Sequence, residues 1–166
     1  MLDFPTVPKA IEFAVATEGM GVRTYTKLAE RFSEQEDLSE AFAMLVADEK
    51  AHRAQFEALL EELEPDDDIM TDEEKHRYLC AMARSEFFKS EAGSATKWDD
   101  VQSLDEALTK SLDFEKATLG LYLAIQDIIG EDESLGAIIE AEKRHVARLM
   151  RYILTEEKMK GLGDGF

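Results

Sequence analysis

Cysteine is nearly missing from this sequence: Cys80 stands alone, which excludes an internal disulfide framework, a CxxC redox pair and a Cys-rich zinc site. A reducing compartment suits such a chain, and the cytoplasm is the expected location. Basic residues are also scarce. Nineteen Lys and Arg against 37 Asp and Glu leave a formal charge of −18, a field that repels phosphate backbones and anionic lipid headgroups. Nucleic acid and membrane surfaces are therefore not expected partners. No apolar run approaches the roughly 18 residues needed to span a bilayer, and the opening segment MLDFPTVPKA has neither the basic nor the apolar stretch of a targeting leader. Only Pro5, Pro8 and Pro65 occur, so little interrupts long helices. A chain of 166 residues has the length of one ordinary domain and can bury roughly 70% of its unfolded surface. A single domain over residues 1–166 is the expectation.

What is present is an apolar pattern at three- and four-residue spacing, without the alternation of strands, and it predicts an all-α protein. The first stripe holds Ile11, Ala14, Glu18, Gly21, Val22, Tyr25, Leu28, Ala29 and Phe32. It predicts a helix over roughly 6–32, entered through Thr6 with Pro8 in the first turn, where a missing N–H costs nothing. The second stripe, Leu38, Phe42, Leu45, Glu49, His52, Phe56, Leu59 and Leu63, starts from Ser33 or Asp37 as cap and ends near Pro65. Thr71 and Glu74 form a capping box before a connecting helix with Leu79, Ala83 and Phe87, and Ser103 with Glu106 forms another. The latter opens the stripe Leu104, Leu108, Leu112, Glu115, Leu119, Tyr122, Ile125 and Ile129, ended by Gly130. The last stripe is Leu135, Ile138, Glu142, His145, Leu149 and Tyr152, and a Gly-rich tail from Gly161 is expected to fray. Two tight links and one long one predict a four-helix bundle of two antiparallel helical hairpins, with a long crossover containing an extra helix.

The two hairpins repeat one another. Glu18 is followed seven residues on by Tyr25, then by Glu49-Lys50-Ala51-His52; Glu115 is followed seven residues on by Tyr122, then by Glu142-Lys143-Arg144-His145. All four glutamates and both histidines fall on apolar stripes, where an unpaired carboxylate loses several kcal/mol of solvation. Residues i and i+3 are neighbours on a helix, so each Glu-x-x-His turns one carboxylate and one imidazole toward the same point of the core. Buried ion networks are one reading of such a set. The matched repeat favours the other, a pair of divalent cations, whose charge four carboxylates neutralise. The mixed O/N donors suit iron or manganese. His76 also follows a Glu at three residues, but Glu73 sits in a helix first turn, where cap and dipole account for it. His76 is read as surface or packing, and Cys80 as a small buried hydrophobe.

One Glu from each of two helices and Glu-x-x-His from each of the other two is the ligand scheme of the ferritin-like di-iron carboxylate proteins. The chain resembles that family across all four main helices, most closely its rubrerythrin-like branch, whose first helix is similar to AIEFAVATEGMGVRTYTKLAE. The resemblance implies a ferritin-like bundle in which Glu18, Glu49, His52, Glu115, Glu142 and His145 hold two iron ions. It further implies that Glu49 and Glu142 bridge the ions and that Glu18 and Glu115 are terminal on one each. Manganese or zinc is able to replace iron in purified protein. Tyr25 and Tyr122 are then expected to hydrogen-bond ligand carboxylates, core packing being the alternative. Departures shape the expected activity. Classical rubrerythrins carry a four-cysteine rubredoxin domain, for which one cysteine is too few, so an external electron donor is expected. Thr118 stands where peroxidase-type relatives have a further Glu, and Lys50 stands where haem-binding bacterioferritins have a Met, so no haem is expected.

The implied function is a non-haem di-iron oxidoreductase, ferroxidase or peroxidase-like, that reduces dioxygen (O2) or hydrogen peroxide (H2O2) while oxidising Fe(II). The alternatives are iron storage, buffering or delivery without turnover, a structural metal clamp, and a di-manganese catalase. A homodimer is the expected assembly. Trp98 is expected to anchor the crossover on the bundle or to lie in a subunit interface. The acidic run Asp66-Asp67-Asp68 is read as a solvated loop, and Lys143, Arg144, Arg148 and Arg151 as partners of the acid excess.

Overall fold

The computed structural model describes residues 6–63, 73–83, 98 and 101–163, those after Lys158 as backbone alone. Five helices make up the described residues: α1 (Val7–Arg31), α2 (Glu36–Glu62), α3 (Glu73–Ala83), α4 (Leu104–Ile129) and α5 (Glu133–Gly163). Thr6 caps α1 by accepting from Lys9 N at 3.4 Å, with Pro8 in the first turn as expected. The start of α2 differs from expectation. Its N-cap is Gln35, with no side-chain bond, rather than Ser33 or Asp37. Glu36 and Asp37 instead occupy the first turn, where negative charge compensates the helix dipole. At the start of α4 the Ser103 hydroxyl accepts from Glu106 N at 3.2 Å. The return bond of the box is shifted by one residue, because Glu106 Oε2 accepts from Gln102 N at 2.9 Å and not from Ser103 N. Gly130 ends α4 at φ 85°, a left-handed backbone that suits glycine. Asp132 opens α5 by accepting from Leu135 N at 2.8 Å. That helix runs past Gly161, where fraying is expected to begin, to Gly163, and the chain's last three residues lie outside the described residues; one glycine costs only about 1 kcal/mol inside a helix.

α1 packs on α2, and α4 on α5, as two hairpins joined by short turns; α1 also lies against α4, α2 against α5, and α3 against α4. Contacts across the hairpins fix their directions. Tyr25 meets Glu115 and Tyr122 meets Glu18, so α1 and α4 are antiparallel. His52 meets Glu142 while Asp48 meets His145, so α2 and α5 are antiparallel too. It follows that α2 and α4 point the same way, and the chain between them has to return along the bundle. Leu79 and Ala83 of α3 are buried on that route. Thr71, Phe87 and the run Asp66–Asp68 lie outside the described residues.

Each helix sends one apolar face inward: Ile11, Ala14 and Leu28 from α1, Phe42, Leu45 and Phe56 from α2, Leu108, Leu121 and Ile125 from α4, and Leu135, Ile138 and Leu149 from α5. Each fully buried large side chain contributes about 1.5–3 kcal/mol of transfer free energy. Trp98 belongs to this core, its ring edge-on to Phe114 at 6.4 Å. Cys80 packs against the core as a small hydrophobe but is only partly buried, with Sγ 3.5 Å from His76 Nε2. Lys143 pairs with Glu140 at 2.6 Å. Arg148 Nη1 is buried without a hydrogen-bond partner among the described residues. No helix among the described residues is long and apolar enough to cross a membrane.

Candidate metal centre

At mid-height the apolar faces are interrupted by six ionisable side chains, Glu18 of α1, Glu49 and His52 of α2, Glu115 of α4, and Glu142 and His145 of α5. None is more than 5% exposed, so bulk water does not solvate them. They form two overlapping groups, Glu18–Glu49–His52–Glu142 and Glu49–Glu115–Glu142–His145, in each of which the candidate donor atoms lie within 4.8 Å of one another. Glu49 and Glu142 are common to both. The two imidazoles stack at 5.6 Å between ring centres and turn Nδ1 inward: His52 Nδ1 lies 3.0 Å from Glu142 Oε1, and His145 Nδ1 lies 3.1 Å from Glu115 Oε2.

This cluster is poorly satisfied by itself. Glu18 Oε2, Glu49 Oε1, His52 Nδ1 and Glu142 Oε1 are buried without a hydrogen-bond partner among the described residues. His52 and Glu142 are close but lack the alignment of a hydrogen bond, so their atoms converge on shared space and not on each other. Burial and the neighbouring Glu18 charge push Glu49 well above the usual carboxylate range. Burial and Glu115 likewise hold Glu142 up to about 8. Burial opposes the charged His52 ring, but the Glu142 and Glu18 carboxylates outweigh it and raise the ring to about 10. His145 is raised in the same way by Glu115, and Glu115 is lowered, against its own burial, by His145. Without a cation the cluster therefore retains protons, because four carboxylates buried side by side cannot all stay charged.

The surrounding contacts are specific. Tyr25 of α1 donates to Glu115 Oε1 of α4, and Tyr122 of α4 donates to Glu18 Oε1 of α1. The tyrosines thus do more than fill the core, although burial and the facing carboxylates push both hydroxyls well above their usual range and keep them protonated. Three further residues take roles that the sequence reading did not give them. Asp48, half-exposed on α2, lies 3.0 Å from His145 Nε2. Thr118 Oγ1 lies 2.9 Å from both Glu142 Oε2 and the Glu115 carbonyl oxygen, so its one proton serves one acceptor at a time. Gly21 gives Glu49 its place: a Cβ there would overlap the carboxylate, with Glu49 Cδ at 2.9 Å. Only the packing of α5 on α2 could have singled out Asp48, since it stands off the apolar stripe.

A protein-family model described as Rubrerythrin matches residues 9–158. The chain belongs to the rubrerythrin family. No curated protein and no solved structure matches it. The match takes in all six core residues and both tyrosines. As a rubrerythrin-family bundle it carries a buried carboxylate and histidine cluster compatible with binding two iron ions. The cluster fits that cargo on its own chemistry too: orphaned oxygens and an orphaned imidazole nitrogen converge in a water-poor core, and hard carboxylates with one neutral donor per group match iron better than soft-ligand metals.

Proposed function

We propose that this rubrerythrin-family bundle is a non-haem di-iron oxidoreductase that reduces O2 or H2O2 while oxidising Fe(II). The observation that supports it is the pair of overlapping donor groups with Glu49 and Glu142 in common. In this reading Glu49 and Glu142 would be shared by the two positions, Glu18 and His52 would complete one, and Glu115 and His145 would complete the other. A bound iron pair supplies two electrons, enough to take O2 to H2O2 or H2O2 to two waters with two protons consumed in either case. The chain's own contribution is positional. Carboxylates neutralise the added positive charge of the oxidised state. The imidazoles offer neutral Nδ1 donors once their protons leave. Tyr25 and Tyr122 each hold one oxygen of Glu115 and Glu18, so that Glu115 Oε2 faces His145 Nδ1 and Glu18 Oε2 is left without a hydrogen-bond partner among the described residues. The apolar rings of Phe42 and Phe114 beside Tyr25, and of Phe56 beside Tyr122, keep water from the site. An external electron donor would return the pair to the ferrous state.

The test is metal content followed by turnover. Purified without an affinity tag and loaded anaerobically with Fe(II), the parent is expected to hold close to two ions per chain, and a Glu49→Ala/Glu142→Ala variant almost none. The loaded parent is then mixed with O2 or H2O2 in the presence of a reductant. Sustained consumption supports the oxidoreductase, and one stoichiometric oxidation followed by release replaces it with iron storage or delivery. Oxygen evolution from peroxide without reductant identifies a catalase instead. Failure to take up metal ends the dinuclear reading.

A further inference from the structure

The repeat pairs Glu18 with Glu115, Tyr25 with Tyr122, Glu49 with Glu142 and His52 with His145, yet two positions at the centre break it. Asp48, immediately before Glu49, has Ala141 as its counterpart, and Gly21, three residues after Glu18, has Thr118. Both breaks act on the same side. Asp48 lies 3.0 Å from His145 Nε2, whereas among the described residues no carboxylate reaches His52 Nε2, Ala141 having none to offer. Thr118 lies 2.9 Å from Glu142 Oε2. That oxygen is on the His145 side, 3.9 Å from its Nδ1, while Oε1 turns to His52. Opposite Thr118 in the repeat, Gly21 offers Glu49 no hydroxyl and leaves its carboxylate against bare backbone.

An ion on Nδ1 forces the imidazole proton onto Nε2. A carboxylate waiting there accepts it, locks the tautomer and ring orientation and makes Nδ1 the stronger donor. We propose that the two metal positions are unequal. The Glu115–His145 position, with Asp48 and Thr118 as positioning residues, takes the first ion, and the Glu18–His52 position takes the second more weakly. This rests on the dinuclear reading above. The Glu18–His52 position is consequently the one that exchanges its ion.

The experiment is an anaerobic titration of the metal-free full chain with Co(II), read by visible absorption and by competition with a chelator. The parent is expected to fill in two steps whose affinities differ by about 10- to 100-fold, the range by which such outer carboxylates act. Asp48→Ala, and the shape-preserving Asp48→Asn, are expected to weaken the first step by that factor and leave the second unchanged, so that the steps merge. Thr118→Val is expected to narrow the gap and Thr118→Ser to restore it. Two equal steps in the parent, an Asp48 variant that weakens both steps alike, or a Thr118→Ser that behaves as Thr118→Val would overturn the inequality while leaving the dinuclear site in place. No Co(II) uptake by the parent would remove both.

Discussion

Glu49 reaches the centre because residue 21 has no side chain. On an open helix face Gly→Ala stabilises by about 0.5–1 kcal/mol; at Gly21 the sign is expected to reverse, because the new methyl overlaps the Glu49 carboxylate. Gly21→Ala should therefore lower metal content below two per chain and lower the melting temperature together, checked by elemental analysis and calorimetry on the same sample. Tyr122→Phe removes the donor to Glu18 Oε1, leaving a buried carboxylate oxygen unmatched, and should cost the metal-free protein about 1–3 kcal/mol in urea unfolding. The six core ionisable residues were legible in the sequence because the same spacing occurs twice, on stripes that should have been apolar. Asp48 and Thr118 were not, for different reasons. Asp48 projects off the stripe of α2 and has meaning only once α5 lies against it. Thr118 was noticed as a missing glutamate, while its bond to Glu142 depends on the separation of two helices, which no local pattern carries.

Among the elements, both ends of α4 and the start of α1 were readable, whereas the start of α2 and the Asp132 cap of α5 were not. Thr6, Ser103 and Gly130 stand where a cap or a stop was expected. The first turn of α2 relies on Glu36 and Asp37 against the helix dipole, so no capping side chain marks it. Ser103→Ala should cost about 1 kcal/mol, seen as a small fall in the denaturation midpoint with metal stoichiometry unchanged, because the cap lies far along α4 from Glu115. The bundle topology was legible from link lengths: two short turns impose antiparallel neighbours, and the long connection permits α2 and α4 to point the same way. The docking of α3 was less so. The tip of Met82 packs over Gly120, where a Cβ would stand 2.6 Å from Met82 Cε, a contact between two helices that neither stripe announces.

For the molecule as a whole, the carboxylate and histidine cluster ties stability to pH. His52 has an ordinary value of 6.5 and is raised to about 10 in the fold, and Glu142 is raised from 4.5 to about 8. Both keep a proton in the folded chain that the unfolded chain releases. Their contributions are complete below the ordinary values and are lost as pH rises through the raised ones, Glu142 between about pH 4.5 and 8 and His52 between about pH 6.5 and 10, so the metal-free protein should become progressively easier to unfold from about pH 4.5 to about pH 10. Metal uptake runs the other way. It expels those protons, so affinity should rise with pH and binding should acidify a weakly buffered solution; denaturant midpoints and a pH electrode check the two arms. The crossed tyrosines carry a further consequence for assembly. Each hairpin holds the hydroxyl that the other hairpin's carboxylate requires, Tyr25 for Glu115 and Tyr122 for Glu18. The chain is in effect a covalent pair of complementary half-molecules. Cut between α2 and α3, its fragments should gain full helicity and bind metal only when mixed in equal amounts.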